Sequence, residues 1–278
     1  MPSPIAGPTI TIRPPRGWAP LDLREFVGAH ELLYFLVLRN LKVRYKQTVL
    51  GAAWALLQPL LTMAIFSLVF GRLARLGSDG LPYPVFALAA LVPWTYFANA
   101  LAQAGNSLVD QHQLLTKVYF PRLLLPLAAV VAGLVDLAVA SVLLLVVLVW
   151  YGIAPSPRLL AAPLFALLAA ASALAPGIWL AALNVRYRDV RYVIPFLVQI
   201  WLFATPVAYS SALVPARWRL LYHLNPMAAV VEGFRWMIAP SAFAPGAGLL
   251  VAVAAVATML TAGLYFFRRM EHSFADVV

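Results

Sequence analysis

No cysteine occurs among the 278 residues, which excludes disulfides and thiolate metal sites and leaves the compartment open. Charge is scarce as well. Asp, Glu, Lys and Arg together make up 11% of the chain, lysine is confined to Lys42, Lys46 and Lys117, and the four histidines are scattered. None of those lysines follows a glycine, and the phosphate loop G-x-x-x-x-G-K-[ST] is absent, so the chain does not bind ATP in that way by itself. His30-Glu31-Leu32-Leu33-Tyr34 stops one residue short of a zinc-protease motif, which needs a second histidine ligand one helical turn on. Gly105-Asn106-Ser107 lacks the closing glycine of a nucleophile elbow, and no catalytic triad is apparent. An enzyme reading has little support.

Apolar sequence is what the chain has in abundance. Hydrophobic residues make up 63%, and the mean hydropathy is +0.87, well outside the range of a soluble domain. A hydrocarbon core roughly 30 Å thick takes about 20 helical residues to cross. Lipid cannot satisfy an exposed backbone amide, so each crossing segment must bond internally, as a helix does. Six stretches meet that length, at about 51–72, 83–105, 122–151, 158–184, 192–211 and 246–267. The expected fold class is an all-α membrane protein with six transmembrane helices, and the even number puts both termini on one side.

Basic residues near span ends are retained in the cytoplasm. Fourteen of the twenty Lys and Arg residues lie before the first span, in the second and fourth connectors and in the tail, against six in the other connectors. Both termini are therefore expected to be cytoplasmic. The net charge of +10 is mostly this topological signal plus attraction to anionic headgroups, and a nucleic-acid partner is not expected. Residues 1–28, rich in proline, read as a disordered or extended arm with no apolar run resembling a secretion signal.

The stretch over 29–47 is apolar but too short and interrupted to cross. On a helical wheel Arg39, Lys42 and Lys46 share a stripe while Leu32, Leu33, Leu36, Val37, Leu41 and Val43 occupy the rest, the pattern of an amphipathic helix lying in the membrane interface. It fits a basic anchor preceding a span and a moving functional element equally. The connector 106–122 exposes Leu108, Leu114, Leu115, Val118, Tyr119 and Phe120 among polar residues, which suggests a docking surface. The connector 211–245 is not a simple loop. Asn225-Pro226 is a helix start, and Val230, Val231, Phe234, Met237 and Ile238 share a face while Glu232 and Arg235 stand three residues apart on another. With Trp218, Leu220, Leu221 and Tyr222 before it, this reads as a pair of short helices dipping into the outer leaflet, either lids over a pore or packing elements.

One ionisable residue, Asp136, stands near a bilayer midplane, where a charge costs about 2.5 to 3.5 kcal/mol on insertion scales. It must face protein or water, or be protonated. The other ionisable groups sit near span ends, which favours a structural hydrogen-bonding role over a proton relay. Trp94, Tyr96 and Phe97 lie mid-span beside Pro93, and Trp201 and Phe203 precede Pro206. Aromatic faces at that depth pack, or stack on bases, cations or sugar rings.

The run Leu38-Arg39-Asn40-Leu41-Lys42-Val43-Arg44-Tyr45-Lys46-Gln47-Thr48-Val49-Leu50-Gly51, continuing through Trp54 to Gln58-Pro59, resembles the permease subunits of type-2 ABC exporters for polysaccharides such as O antigen, capsule and teichoic acid. Lys117-Val118-Tyr119-Phe120-Pro121-Arg122 with Leu125-Pro126, Asn184-Val185-Arg186-Tyr187-Arg188-Asp189, Thr205-Pro206-Val207 and Asn225-Pro226 follow in the order and spacing of that family. The likeness covers about residues 30–268. It implies a six-span type-2 ABC transmembrane domain over 48–268, a cytoplasmic tail over 269–278, and residence in a bacterial inner membrane.

It also implies partners: a second copy of this chain, two ABC ATPase subunits that bind the ATP and Mg, a lipid-linked polysaccharide and membrane lipids, with no cofactor held by this chain. By the same resemblance Arg39, Lys42, Arg44 and Lys46 would form the entrance helix, and Asp110, Leu114, Leu115 and Lys117 the coupling connector. Trp54, Trp201 and Phe203, joined by Trp94, would be sugar-stacking positions of the channel. Trp218, Tyr222, Phe234 and Trp236 would belong to short periplasmic gate helices before the last span. An exporter of the same fold for a lipid, haem or drug, and a proton-coupled secondary transporter using Asp136, are the rival readings.

Overall fold

The computed structural model describes residues 28–46, 51–117, 120–239 and 246–271, and the regular structure in them is helical. The arm over 1–27 and the tail beyond 271 lie outside the described residues. Helix α1 (His30–Lys46) precedes α2 (Gly51–Phe66), which continues as a π-helical turn (Ser67–Leu73). Then come α3 (Tyr83–Asp110), α4 (His112–Lys117), α5 (Leu124–Trp150), a 3-10 turn (Pro157–Ala161) leading into α6 (Ala162–Arg186), and α7 (Val190–Ala204). A second 3-10 turn (Ser211–Leu213), α8 (Ala216–Tyr222), α9 (Pro226–Ile238) and α10 (Ala247–Glu271) complete the order.

Among the described residues five stretches are long and apolar enough to cross a membrane: Leu56–Leu73, Tyr83–Asp110, Leu124–Trp150, Pro157–Arg186 and Ala247–Glu271. The segment expected to cross over 192–211 is instead the 15-residue apolar helix α7, which rises only about 22 Å. Its end has a local cause. Thr205 is extended, at φ −106° and ψ 142°, because the ring of Pro206 pushes the residue before it out of the helical region. The chain therefore leaves the helix at Ala204, and residues 205–210 form a non-helical turn that leads into the 3-10 turn at Ser211.

Helix α3 is the central post. Most of it is buried, whereas Leu57, Leu61, Ile65 and Leu68 of the first long apolar stretch stay exposed. It packs on α6 and α5, with α9 and α2 also against it. Small residues make that possible: a Cβ added at Gly177 of α6 would stand 2.8 Å from the Cβ of Ala104 in α3, so the two helices meet at close backbone distance. Asn184 locks the contact by donating to Gly105 O at 3.0 Å and Asn106 Oδ1 at 2.9 Å.

At the Arg-rich end a second core gathers Leu36, Leu108, Phe120, Leu124, Leu125, Ala128, Ile178 and Phe267. Here Arg122 of the segment before α5 donates to Glu271 O at 2.8 Å, joining the start of one long helix to the end of another. Helix α1 docks on this core and along α5. It runs alongside α5 from the Arg-rich end toward the middle of that helix. Tyr34, Phe35 and Val43 are exposed beside Arg39 and Lys42, and the Arg44 end reaches inward along α5. The reason is the acid on α5 described below.

The connector between α7 and α10 holds the expected pair of short helices, but they behave differently. In α9, Met227, Val230, Val231, Phe234, Met237 and Ile238 are buried, and a Cβ at Gly233 would stand 2.1 Å from the Phe165 ring of α6. That helix is part of the bundle core. Helix α8 exposes Trp218, Leu220 and Leu221.

Candidate functional site

Two regions carry the polar chemistry of the bundle. The first joins α1 to the middle of the long helices. Arg44 donates to Asp136 of α5 and to Gln103 of α3, and the Tyr45 hydroxyl donates to the other oxygen of Asp136. Nearer the Arg-rich end, Arg39 donates to Gln111 Oε1 at 3.0 Å. Lys42 is exposed. Asp136 thus has a cation and a phenol as partners, both from a segment some ninety residues earlier, where the sequence placed the other ionisable groups at span ends. An acid at that depth is stable when so matched. The signal that could have found the pair was present: a mid-span acid needs a counter-ion, and Arg44 lies in a partly apolar stretch that is too short to cross.

The second region is the connector between α7 and α10. Trp201 of α7 donates through Nε1 to Asn225 Oδ1 at 2.8 Å, and the same oxygen accepts from the Met227 amide at 3.1 Å, capping α9. Asn225 Nδ2 donates to Ala204 O at 3.1 Å and to Thr205 Oγ1 at 2.9 Å. One side chain therefore closes α7, opens α9 and orients Trp201. Trp201 also meets the Phe97 ring edge-on at 5.0 Å, and Phe97 lies 5.3 Å from Trp94, which is 5% exposed. Trp94, Phe97 and Trp201 form one aromatic column inside the bundle. Phe203 is not part of it. It lies on the exposed side of α7, 66% accessible, in a row with Tyr192, Phe196 and Ile200. Spacings of four, four and three residues put that row on one helical stripe, and Tyr192 and Phe196 were not among the channel positions expected from sequence.

Glu232 and Arg235, expected to sit together on one face of α9, part company. Arg235 is 3% exposed and points inward, donating to Val207 O at 2.9 Å and Tyr209 O at 3.2 Å with its guanidinium 3.5 Å over the Phe86 ring. It holds the turn that follows α7. Glu232 accepts instead from His223 at the end of α8, 2.7 Å away, and that hydrogen bond holds the imidazole pKa above its ordinary value despite partial burial. The Tyr222 and Tyr209 hydroxyls lie 2.9 Å apart. Phe234 is buried in the core, Trp236 lies under the Arg158 guanidinium at 5.2 Å, and Trp218 is half exposed. Of the four residues expected at a gate, Phe234 is thus buried, Tyr222 and Trp236 are partly buried and Trp218 is exposed.

In the connector between α3 and α5, Asp110 is exposed and Leu114 is half-buried against the Arg-rich-end core. The side chains of Lys46, Trp54, Leu115 and Lys117 lie outside the described residues.

The family model for ABC-2 type transporters matches residues 31–239. The chain is similar to the O-antigen export system permease protein RfbA of Myxococcus xanthus, 33% identical over 261 residues that cover 92% of this chain and 98% of that protein. It is 26% identical to the O-antigen export system permease protein RfbA of Klebsiella pneumoniae, over 89% of this chain and 95% of that one. The polysialic acid transport protein KpsM of Escherichia coli is 23% identical over 86% of this chain and 93% of its own length. With five long apolar helices and a match that spans the bundle from α1 to the end of α9, the chain belongs to the ABC-2 type transporter family.

Proposed function

We propose that this chain is the membrane-spanning permease subunit of an ATP-driven exporter that carries a polysaccharide, on a lipid anchor, out of the cytoplasm across a bacterial inner membrane. The observation that carries this reading is likeness over nearly the whole chain to permeases named for O-antigen export and for polysialic acid transport. The lack of a phosphate loop supports placing ATP and Mg on a separate ATPase subunit. In this reading the Arg-rich end faces the cytoplasm, where Asp110 and the α4 segment meet the ATPase, and two copies of the chain enclose the passage.

Within that arrangement α1 stands at the cytoplasmic entrance, with Arg39 and Lys42 placed to attract the phosphate groups of the lipid anchor. The stripe Tyr192, Phe196, Ile200 and Phe203 faces the passage. Aromatic faces suit a sliding polymer because stacking tolerates changes of register. The α8 and α9 connector closes the far end, with Arg235 and Asn225 fixing its base on the bundle and α8 as its exposed part. Asp136, engaged by Arg44 and Tyr45, acts as a counter-ion, which disfavours the proton-coupled reading.

A strain lacking this gene should lose surface polysaccharide and accumulate lipid-linked glycan on the inside of its inner membrane. Normal surface polysaccharide in that strain, with accumulation of a different lipid, haem or a drug, would assign the fold another cargo.

A further inference from the structure

The pairing of Arg44 and Tyr45 with Asp136 bears on how the entrance helix is held. Asp136 is twelve residues beyond Leu124, about 18 Å along a helix about 40 Å long. Leu36 of α1 belongs to the core around Leu124, Leu125 and Ala128, and Arg44 pairs with Asp136. The eight residues from Leu36 to Arg44 and the eight from Ala128 to Asp136 rise by the same length, about 12 Å. So α1 runs beside α5 from its Arg-rich end to the middle of the bundle. Its basic end stands at the depth of a span, although α1 itself is too short to cross.

The two ends of the helix are held differently: Leu32, Leu33, Leu36 and Val37 pack on the Arg-rich-end core and Arg39 donates to Gln111, whereas the inner end rests on Arg44 and Tyr45. Among the described side chains of α1, Leu36 alone is fully buried, while Tyr34, Phe35 and Val43 are exposed. Arg44 and Asp136 retain 23% and 20% of their side-chain exposure. A charge pair at that depth is not stable against hydrocarbon, so its open side faces water or protein. An apolar attachment at one end and a charged one at the other lets the inner end of the helix go when the charges separate.

We propose that Asp136 is the receptor of a latch: by holding Arg44 and Tyr45, with Gln103 as second support, it positions the entrance helix against α5, and export depends on that position. The proposal rests on the exporter reading for its functional part and not for its structural part. Asp136 is a positioning residue here and touches no substrate.

The test uses the chain assembled with its ATPase in inverted inner-membrane vesicles. Because no native thiol interferes, Val43→Cys reports on the helix: beside Arg44 it lies at hydrocarbon depth when the latch holds, where a thiol stays protonated and reacts slowly with maleimide. The decisive variant is Arg44→Gln with Asp136→Asn, which removes the ion pair without leaving a lone charge. Labelling at position 43 should become at least about fivefold faster, and export per assembled transporter should fall by a similar factor. Arg44→Lys, which keeps the charge pair, should stay within about twofold of the parent in labelling. Parent-like labelling in the neutral pair would overturn the latch, as would failure of the neutral pair to assemble, since that would make the cluster a folding element. Arg44→Lys labelling as fast as the neutral pair would overturn it too. A parent that exports no polysaccharide would count against the exporter reading alone, because the labelling comparison does not depend on cargo. A proton-carrying Asp136 would lose transport in the neutral pair with labelling unchanged.

Discussion

Asn225 carries three contacts that no other side chain near it duplicates: the cap on α9, the bond to Trp201 and the ties to Ala204 and Thr205. Asn225→Ala should therefore cost more than the ~1 kcal/mol of a lost N-cap, because the indole N–H of Trp201 is left with no acceptor as well. Thermal unfolding of the purified chain in detergent measures it. At Trp201 itself, truncation to Ala should destabilise by about 3 to 5 kcal/mol, as for other large core aromatics, while Trp201→Phe should cost about 1 kcal/mol for the hydrogen bond. If Trp201 serves the passage directly, export per assembled transporter should fall in Trp201→Ala beyond the loss of protein; equal export per transporter would leave it a packing residue. His223 gives a pH signature. Its folded pKa is raised above the usual imidazole value by the hydrogen bond to Glu232, so the pair's stabilisation is complete below the unfolded pKa near 6.5 and is lost as pH rises through the folded value. The melting temperature of the protein relative to His223→Gln should be highest in mild acid and the gap should close toward alkaline pH. A gap that widens with pH would contradict the assignment.

Helices were legible in the sequence where one element decides its own fate. The apolar lengths of α3, α5, α6 and α10 gave spans that end within a few residues of those observed, and Asn225-Pro226 gave the start of α9. The stop of α7 at Ala204 was also written locally, in Thr205-Pro206, but apolar composition concealed it by continuing through Val207 and Ala208. What sequence did not show depends on distant partners: the inward course of α1 is set by an acid on α5, and the parting of Glu232 from Arg235 by His223 and by the carbonyls of the turn after α7. Two predictions belong at this scale. Bulky maleimide adducts on Gln113→Cys, an exposed position in α4, should prevent association with the ATPase while the unlabelled variant associates normally; binding that survives the adduct would place the interface elsewhere. Phe196→Ala and Phe203→Ala, both on the exposed stripe of α7, should lower export per transporter several-fold with little loss of melting temperature, since exposed side chains contribute little to the core.

For the whole molecule, a central post in α3 with close helix contacts on several sides makes a rigid frame, and the mobile parts expected of a transporter are at its margins: α1, whose inner end rests on Arg44 and Tyr45, and the exposed α8. If a separate subunit supplies the energy, as proposed, the purified chain should show no ATPase activity until that subunit is added. The central claim is that ATP moves a glycan through this protein. The most direct measurement supplies labelled lipid-linked glycan to the outer leaflet of inverted vesicles holding the chain and its ATPase, then follows protection of the glycan from an added glycosidase. Protection should grow with ATP and stay at background without ATP or without this chain. Glycan that remains fully accessible under ATP hydrolysis, or becomes protected equally in vesicles lacking the chain, would contradict it.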